Sequence, residues 1–200
     1  MKFPKKKYNS NVKYYSDYVS KFNQILNKDH FVKLDKITKF IEKKIKQNKQ
    51  IFICGNGGSA SISNHFLCDF NKGIKVSSKN LIKPKIISLV NSMELITAIS
   101  NDISFNKIFD FQLESLAKQN DILVVLSCSG KSKNIINAVK YAFKKKIDII
   151  SFVGFDKKSL IKKYSKFYIN LEIENYGLSE DMFQIIMHMI SQSIRIKYMG

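Results

Sequence analysis

Short apolar segments alternate with helical periodicity along most of this chain, and this alternation restricts its fold more than any other feature. After the first strand, helices are predicted over 93–117, with an interruption near Asn101, and over 132–145, 156–164 and 179–197. Strands that alternate with helices form a parallel sheet with helical layers on both faces. The sequence therefore predicts an α/β fold, a three-layer αβα sandwich. Its five strands are 50–54, 86–90, 121–127, 148–153 and 167–171.

Two helical segments precede the first strand, within residues 11–47, and their pattern breaks near Asp29 and His30. No repeat or low-complexity linker divides the 200 residues, and a chain of this length forms a core without disulfides or metals. We therefore expect one structural unit, in which residues 1–48 are an N-terminal helical extension and residues 49–200 are the αβα domain.

The charge of the chain bears on its partners. Basic residues outnumber acidic ones by 34 to 16, which gives a formal net charge of +18. Such an excess is typical of proteins that bind nucleic acid or anionic membranes. However, Arg195 is the one arginine, and arginine is the usual reader of phosphate and guanine. Because the lysines are also scattered along the chain, the composition argues against a nucleic-acid partner.

Apolar runs and cysteines indicate the compartment. The longest apolar runs, such as 122–126, are far too short to span a bilayer, and no apolar stretch of a signal peptide follows the N-terminal lysines. The cysteines, Cys54, Cys68 and Cys128, lack the spacing of zinc or redox motifs. We interpret them as core residues of a cytoplasmic protein with no membrane partner.

Two loops that follow predicted strands are the candidate ligand-binding segments. Ligands of parallel sheets bind beyond the carboxyl ends of the strands, which is where both loops lie. The first loop, 55–60, reads GNGGSA. Its glycines let the backbone approach an anion at the start of the next helix, where Ser59 would cap the helix or donate to a phosphate. The loop lacks the spacing of a Walker or dinucleotide motif, and a tight strand-to-helix turn is an equal alternative.

The second loop, 127–132, reads SCSGKS and also joins a strand to a helix. Three hydroxyls and a glycine at a helix start are suitable donors for a phosphate monoester, and Lys131 and Lys133 add positive charge. The alternative to a phosphate site is that these serines only form a turn and cap the following helix. Two such loops in one small α/β chain favour a phosphate ligand more strongly than either does alone.

Together with a few further residues, these loops resemble the SIS (sugar isomerase) domain family, which binds phosphosugars, and within it the phosphoheptose isomerases. The matching stretches are 54–60 with His65 and Phe66, then Asn101-Asp102 with 105–109, then 127–132, and last Asp181 with Gln184. The resemblance covers nearly the whole chain. It implies a five-stranded parallel flavodoxin-like sheet, a phosphorylated sugar as substrate, and a homotetramer that uses the N-terminal helical pair and has its sites at subunit interfaces.

The resemblance also implies which residues surround the sugar phosphate. They belong to the glycine turn, the Asn-Asp pair, the serine loop and two of the helices. The implied substrate-binding residues are Asn56, Gly57, Gly58, Ser59, Asp69, Asn101, Asp102, Ser127, Cys128, Ser129, Ser132 and Gln184.

A zinc ion is implied as well, and here the sequence departs from the family. The four family ligands match His65, Asp69, Gln184 and Gln192, where Asp69 stands for a glutamate and Gln192 for a histidine. An amide is neither a good zinc ligand nor a base. His188 lies four residues before Gln192 on the same helical face, and we hypothesise that it takes over the displaced role. The alternative is that His188 lines the core or a subunit interface.

The chemistry of an aldose–ketose isomerase needs a base near the carbon, a proton donor for the oxygen and stabilisation of an enediolate. Asp69 and His188 are the predicted catalytic residues, and zinc held by His65, Asp69, Gln184 and His188 would add Lewis-acid help. The leading function that the resemblance implies is interconversion of sedoheptulose 7-phosphate and D-glycero-D-manno-heptose 7-phosphate, for lipopolysaccharide or capsule heptose. The alternatives are a non-catalytic SIS-fold scaffold, of the type that associates with the replication initiator, and an isomerase of another phosphosugar.

Overall fold

The computed structural model describes residues 2–4 and 7–198. The five strands form one parallel sheet in the order β2-β1-β3-β4-β5, which confirms the predicted α/β sandwich. Apolar residues fill both faces of the central strand β3, all six of whose residues are buried, as expected of a sheet between two helical layers. The strands are β1 Gln50–Cys54, β2 Lys85–Ser88, β3 Ile122–Ser127, β4 Asp148–Val153 and β5 Phe167–Asn170.

The helices follow the predicted order, and the interruption predicted near Asn101 is confirmed as one of several short non-α segments. Two π-helical segments, Asp69–Ile74 and Ser100–Ser104, extend α3 and α5, and a 3-10 turn, Phe105–Lys107, precedes α6. The α-helices are α1 Asn11–Phe22, α2 Lys28–Lys46, α3 Gly58–Cys68, α4 Lys75–Ser77, α5 Met93–Ile99, α6 Asp110–Leu116, α7 Lys133–Lys144, α8 Ile161–Tyr164 and α9 Tyr176–Lys197.

The predicted boundaries of two helices, α2 and α8, are wrong for reasons that the structure shows. The break between α1 and α2 lies before Asn27, and His30 is in the first turn of α2. The cause is a capping box, in which the Asn27 side chain accepts from the His30 N–H and the His30 ring accepts from the Asn27 N–H. The helix predicted over 156–164 is reduced to α8, because residues 156–160 form turns.

Alternate residues of the strands pack against different helical layers. Ile51 and Ile53 of β1 belong to a buried cluster with α2, α3 and α9, whereas Phe52 and Cys54 pack with α6 and α7 on the opposite face. This alternation follows from the two-residue period of a strand. It places α3 and α9 side by side on one face of the sheet, where the candidate site residues of both helices meet.

The N-terminal helices differ in how they join this core. Leu34, Ile37 and Ile41 of α2 belong to the same buried cluster as β1 and α9. In contrast, α1 has no buried residue, and its Val12 and Tyr15 side chains are 75% and 60% exposed. Helix α2 is therefore part of the domain core, while α1 presents apolar side chains to solvent.

One cysteine is not where the sequence predicted it. Cys54 and Cys128 are buried as expected, but Cys68 is exposed, so its interpretation as a core residue is wrong. Cys68 is the last residue of α3, one turn after Asn64 on the outward face of that helix. Within the part of the chain that the structure describes, no helix has the length and apolarity to cross a membrane.

Glu42 of α2 ties the C-terminal end of α9 to the core. Its carboxylate pairs with Lys46 at 2.9 Å and Lys197 at 2.9 Å, and it accepts a hydrogen bond from the Tyr198 hydroxyl. Burial of the carboxyl opposes its ionisation, but these hydrogen bonds outweigh burial and lower the pKa of Glu42 from 4.5 to about 2. The ionised carboxylate therefore stabilises the folded chain.

We expect Glu42→Gln to lower the free energy of unfolding at pH 7 by about 1–2 kcal/mol, since the partner lysines are more than half exposed and solvent screens the pairs. Because the folded pKa is depressed, the difference between wild type and variant is full above the unfolded pKa near 4.5 and disappears as the pH falls toward 2. Urea unfolding between pH 3 and 7 measures it. Asp35→Asn, in the exposed Asp35–Lys39 pair of the same helix, is the control. A difference in unfolding free energy between wild type and Glu42→Gln that does not depend on pH would contradict the lowered pKa of Glu42.

Candidate active site

The two loops singled out in the sequence meet at one point of the sheet edge. Strand β1 lies between β2 and β3, so the chain leaves β1 to one side and returns on the other at β3. The carboxyl ends of β1 and β3 form the switch point at which ligands of open parallel sheets bind. The loop after β1 therefore faces the loop after β3 across a crevice.

The glycine turn starts α3 without a side-chain cap. Gly57 occupies the N-cap position with φ 58° and ψ −127°, a conformation that favours glycine because a Cβ would be strained there. Of the two roles that the sequence allowed for Ser59, that of helix cap is wrong. Ser59 is buried within the first turn of α3, and its Oγ lies 3.9 Å from Sγ of Cys128 in the other loop.

The serine loop is ordered by its own hydroxyls. Ser127 Oγ accepts from the Gly130 N–H at 3.1 Å, and Ser129 Oγ accepts from the Lys131 N–H at 3.2 Å. Ser132 occupies the N-cap position of α7 without a side-chain capping bond. Its hydroxyl and the first turn of α7 are therefore available to a phosphate.

A cavity of about 90 Å³, here called the serine-loop pocket, lies between the two loops. Asn56, which lines the pocket, exchanges hydrogen bonds of 3.0 and 2.9 Å with Asn134 of α7. The pocket therefore joins both loops to the second turn of α9. Its lining residues are Asn56, Ser59, Leu126, Ser127, Cys128, Ser129, Ser132, Tyr176 and Glu180.

Cys128 contributes a neutral thiol to this pocket. Burial and the neighbouring charge of Glu180 raise the pKa of the thiol to about 12. A thiol with this pKa is protonated at neutral pH and is not a nucleophile. Its chemistry in the pocket is that of a weak hydrogen-bond donor.

The second part of the site is a cluster of His65, Asp69 and His188, here called the histidine cluster. The Nε2 atoms of His65 and His188 lie 2.9 Å apart, and each lies 3.6 Å from an oxygen of Asp69. His65 is on α3 and Asp69 begins the π-helical segment that extends it, whereas His188 is on α9. The two helices thus bring together residues that are 123 positions apart in sequence.

Helix α9 supplies two more groups to the histidine cluster. The side-chain amide of Gln184 lies 2.9 Å from His188 Nε2, and the Ser191 hydroxyl donates to Asp69 Oδ2 at 3.3 Å. The amide of Gln184 presents its oxygen if it turns by 180°. Gln192, the position that matches the family histidine, is exposed one turn beyond His188. His188 rather than Gln192 therefore lies beside His65 and Asp69.

The donor set of the histidine cluster fits a zinc ion. Ligand atoms held 2.0–2.1 Å from a tetrahedral zinc are about 3.3 Å from one another. The separations of 2.9 and 3.6 Å between the two imidazole nitrogens and the carboxylate lie on either side of this value. Two imidazoles and one carboxylate are a common set of protein ligands at catalytic zinc sites, which keep one position open.

The Asn-Asp pair of the sequence lies apart from the serine-loop pocket. Asn101 and Asp102 are exposed on the π-helical segment Ser100–Ser104, where the Asn101 amide donates to the Asp102 carboxylate at 2.8 Å. Neither lines the pocket. Lys131 and Lys133 are also exposed and do not line it.

Besides Leu126 at the end of β3, two residues that line the pocket escaped the sequence analysis, namely Tyr176 and Glu180. A signal existed for Glu180, because it precedes Gln184 and His188 by four and eight residues and so shares their helical face. Asn134, which bonds to Asn56 of the pocket, was missed as well, because no pattern distinguished it from other polar residues at a helix start.

Comparisons with known proteins agree with this geometry. The pattern of the SIS domain family matches residues 13–154. The chain belongs to the SIS domain family. Its relatives include the phosphoheptose isomerase of Clostridium acetobutylicum, which is 31% identical over 84% of this chain and 83% of that protein. This similarity places the chain with the phosphoheptose isomerases of the SIS family.

Other relatives match over a shorter length. The phosphoheptose isomerases of Aliarcobacter butzleri and Campylobacter concisus are 38% and 37% identical, over 54% and 55% of this chain. The chain spans little more than half of these two relatives, 56% and 57% of their length.

Solved structures share the fold of this SIS-domain chain. Phosphoheptose isomerase from Neisseria gonorrhoeae superposes with a TM-score of 0.81 at 23% identity, covering 92% of this chain and 95% of that one. The enzyme from Francisella tularensis gives 0.78 at 22% identity, with coverage of 92% and 98%. The agreement over nearly the whole length shows that the order of layers and strands is that of the SIS fold.

Proposed function

We propose that this SIS-domain protein is an aldose–ketose isomerase that interconverts sedoheptulose 7-phosphate and D-glycero-D-manno-heptose 7-phosphate. The observation that carries the proposal is the position of the histidine cluster on the same two helices, α3 and α9, that border the serine-loop pocket. The serine-loop pocket offers hydrogen-bond donors to a phosphate, and the histidine cluster offers a base and an acid. An isomerase of a sugar phosphate needs both the phosphate site and the acid–base pair.

The distance between the two parts suits a seven-carbon substrate. Gly58 and His65 are seven residues apart on α3, and Glu180 and His188 are eight apart on α9, which corresponds to about 10–12 Å of helix. An extended chain of seven carbons with a terminal phosphate spans about 10 Å, from bond lengths near 1.5 Å. With its phosphate in the serine-loop pocket, the substrate would present C1 and C2 to the histidine cluster.

Proton transfer between C1 and C2 falls to the residues of the histidine cluster. Asp69 is the proposed base that removes the proton from carbon, and the hydrogen bond from Ser191 holds its carboxylate in place. His188 is the proposed group that moves a proton to and from the substrate oxygen. Because His188 contacts His65 and Gln184, its ring is held toward Asp69.

His65, Asp69 and His188, with Gln184 beside them, are the residues that would hold zinc in this proposal. A bound zinc ion would supply a Lewis acid for the charge that develops on the enediolate oxygen. The three-residue cluster supports this assignment, since its donor atoms all lie within 4.8 Å of one another.

The proposal includes the assembly and the compartment. We propose a homotetramer in which residues 1–48 form contacts between subunits, supported by the exposed apolar side chains of α1 such as Val12, Tyr15 and Val19. Such assembly would bring residues of other subunits to the site. The proposed compartment is the cytoplasm, supported by three free cysteines, and the proposed role is synthesis of heptose for lipopolysaccharide or capsule.

The alternative of a non-catalytic scaffold depended on the histidine replaced at Gln192. Because His188 lies at the histidine cluster, the position of that glutamine no longer argues against catalysis. The remaining alternative, an isomerase of another phosphosugar, is tested by turnover of shorter sugar phosphates in the same assay.

Turnover and metal content together test the proposed function. We expect the purified protein to convert sedoheptulose 7-phosphate, to carry about one zinc per chain, and to lose at least 90% of its activity to a chelator, with recovery on addition of zinc. His65→Ala should lower the zinc content, because it removes one ligand. Absence of turnover with every added divalent metal would refute the proposed isomerase, and unchanged activity after complete removal of metal would refute the zinc assignment.

A further inference from the structure

Glu180 is a carboxylate in the serine-loop pocket to which the proposed reaction gives no role. It lies in the second turn of α9, and its side chain crosses to the N-terminus of α3. A Cβ at position 58 would overlap the Glu180 carboxylate, so glycine at Gly58 is what permits this approach. On the other side, Glu180 Oε1 lies 3.9 Å from Sγ of Cys128.

No cation neutralises this carboxylate within the described residues. The ion pairs of the structure, such as those of Glu42 with Lys46 and Lys197, do not include Glu180. A half-buried carboxylate without a cation loses solvation that it does not fully recover. The positive end of the α3 dipole compensates in part, and the remaining cost indicates that the pocket keeps an acceptor for a ligand.

The chemistry of a carboxylate determines what that ligand group is. An ionised carboxylate accepts hydrogen bonds and does not donate them. A phosphate dianion is also an acceptor and is repelled by it, so Glu180 cannot be a phosphate-binding group. Sugar hydroxyls are donors, and the hydroxyls next to the phosphoester would lie beside Glu180 when the phosphate occupies the serine loop.

We propose that Glu180 determines specificity in the serine-loop pocket by accepting hydrogen bonds from the hydroxyl groups of the sugar chain next to the phosphate. This inference rests on the proposed function and deepens it by naming the residue that distinguishes a polyhydroxylated phosphate ester from a bare phosphate. The carboxylate attracts the hydroxyls and repels the phosphate. A ligand that has both groups is therefore favoured over a ligand that has the phosphate alone.

The test compares two ligands, one that is phosphate alone and one that joins a phosphate to a polyhydroxylated chain. The ratio of their dissociation constants isolates the contribution of the hydroxyl groups to binding. Calorimetry on the whole chain measures Kd for inorganic phosphate and for a heptitol 7-phosphate, whose missing carbonyl prevents isomerisation. We expect Glu180→Gln to bind phosphate several-fold more tightly, because a negative charge is removed. The ratio of the heptitol phosphate Kd to the phosphate Kd should rise about tenfold, since charge-assisted hydrogen bonds are lost.

Glu174→Gln is the matched control, because it removes the same charge from an exposed position just before α9. It should leave the ratio unchanged. A ratio that stays within twofold of wild type in Glu180→Gln would overturn the role of Glu180 while the isomerase proposal stands on its turnover assay. A wild-type chain that binds neither ligand would overturn both proposals.

Discussion

Replacement of His188 by alanine is expected to lower kcat for sedoheptulose 7-phosphate by about 10²–10⁴-fold, the usual contribution of a general acid or base. The imidazole of His188 lies 2.9 Å from that of His65 and 3.6 Å from the Asp69 carboxylate. Alanine removes both the proposed proton-transfer group and one proposed zinc ligand. Steady-state kinetics and bound-zinc measurements on the same preparation detect the two losses separately.

Two further variants serve as controls for the prediction on His188. Adding Gln192→His to the His188→Ala variant should not restore activity, because position 192 is exposed one turn beyond the histidine cluster. His30→Ala removes a histidine that caps α2 and lies outside the cluster, and it should retain turnover. Restored activity in the double variant would show that a histidine at position 192 also reaches the site, and would contradict the inference that only position 188 lies close enough to His65 and Asp69.

Asp69→Asn is expected to reduce kcat over the same 10²–10⁴-fold range, since an amide cannot remove the proton from carbon. The carboxylate also contacts both imidazoles and accepts a hydrogen bond from Ser191. Asparagine preserves the size of the side chain, so loss of activity with an unchanged unfolding curve separates chemistry from stability.

Asp69→Glu is the informative companion, because it restores the longer side chain of the family pattern. We expect it to keep measurable turnover, while Asp35→Asn on the surface of α2 should behave as wild type. Normal kcat in Asp69→Asn would exclude Asp69 as the base. Loss of activity in Asp69→Glu equal to that in Asp69→Asn would show that the shorter side chain is required here.

Much of the fold could be predicted from the hydrophobic periodicity and the composition of the sequence. Strands β1 and β4 have the predicted bounds, and the other three differ by one or two residues at their ends. The errors lie where local hydrogen bonding decided the structure. The Asn27–His30 capping box set the start of α2, and turns over residues 156–160 reduced the predicted helix over 156–164 to α8. Periodicity does not detect either feature, because both depend on single side chains or on backbone geometry. The interruption predicted near Asn101 is confirmed by the π-helical segment Ser100–Ser104.

The site was accessible from the sequence only in part. The glycine turn and the serine loop could be located because strands of one sheet end at a common edge. His65 and Asp69 could be paired because they lie one helical turn apart. Glu180 was missed, although it shares the spacing of Gln184 and His188, since a helical pattern does not say which turn faces a ligand.

The sequence by itself determined the α/β class, the positions of the glycine turn and the serine loop after their strands, and which residues share a face of each helix. The tertiary structure alone decided that His188 lies against His65 and that Glu180 reaches Gly58. The physical reason is the packing of α3 on α9. Periodicity fixes which residues share a face of one helix, but the alignment of two helices along their axes depends on how their side chains interlock over the sheet.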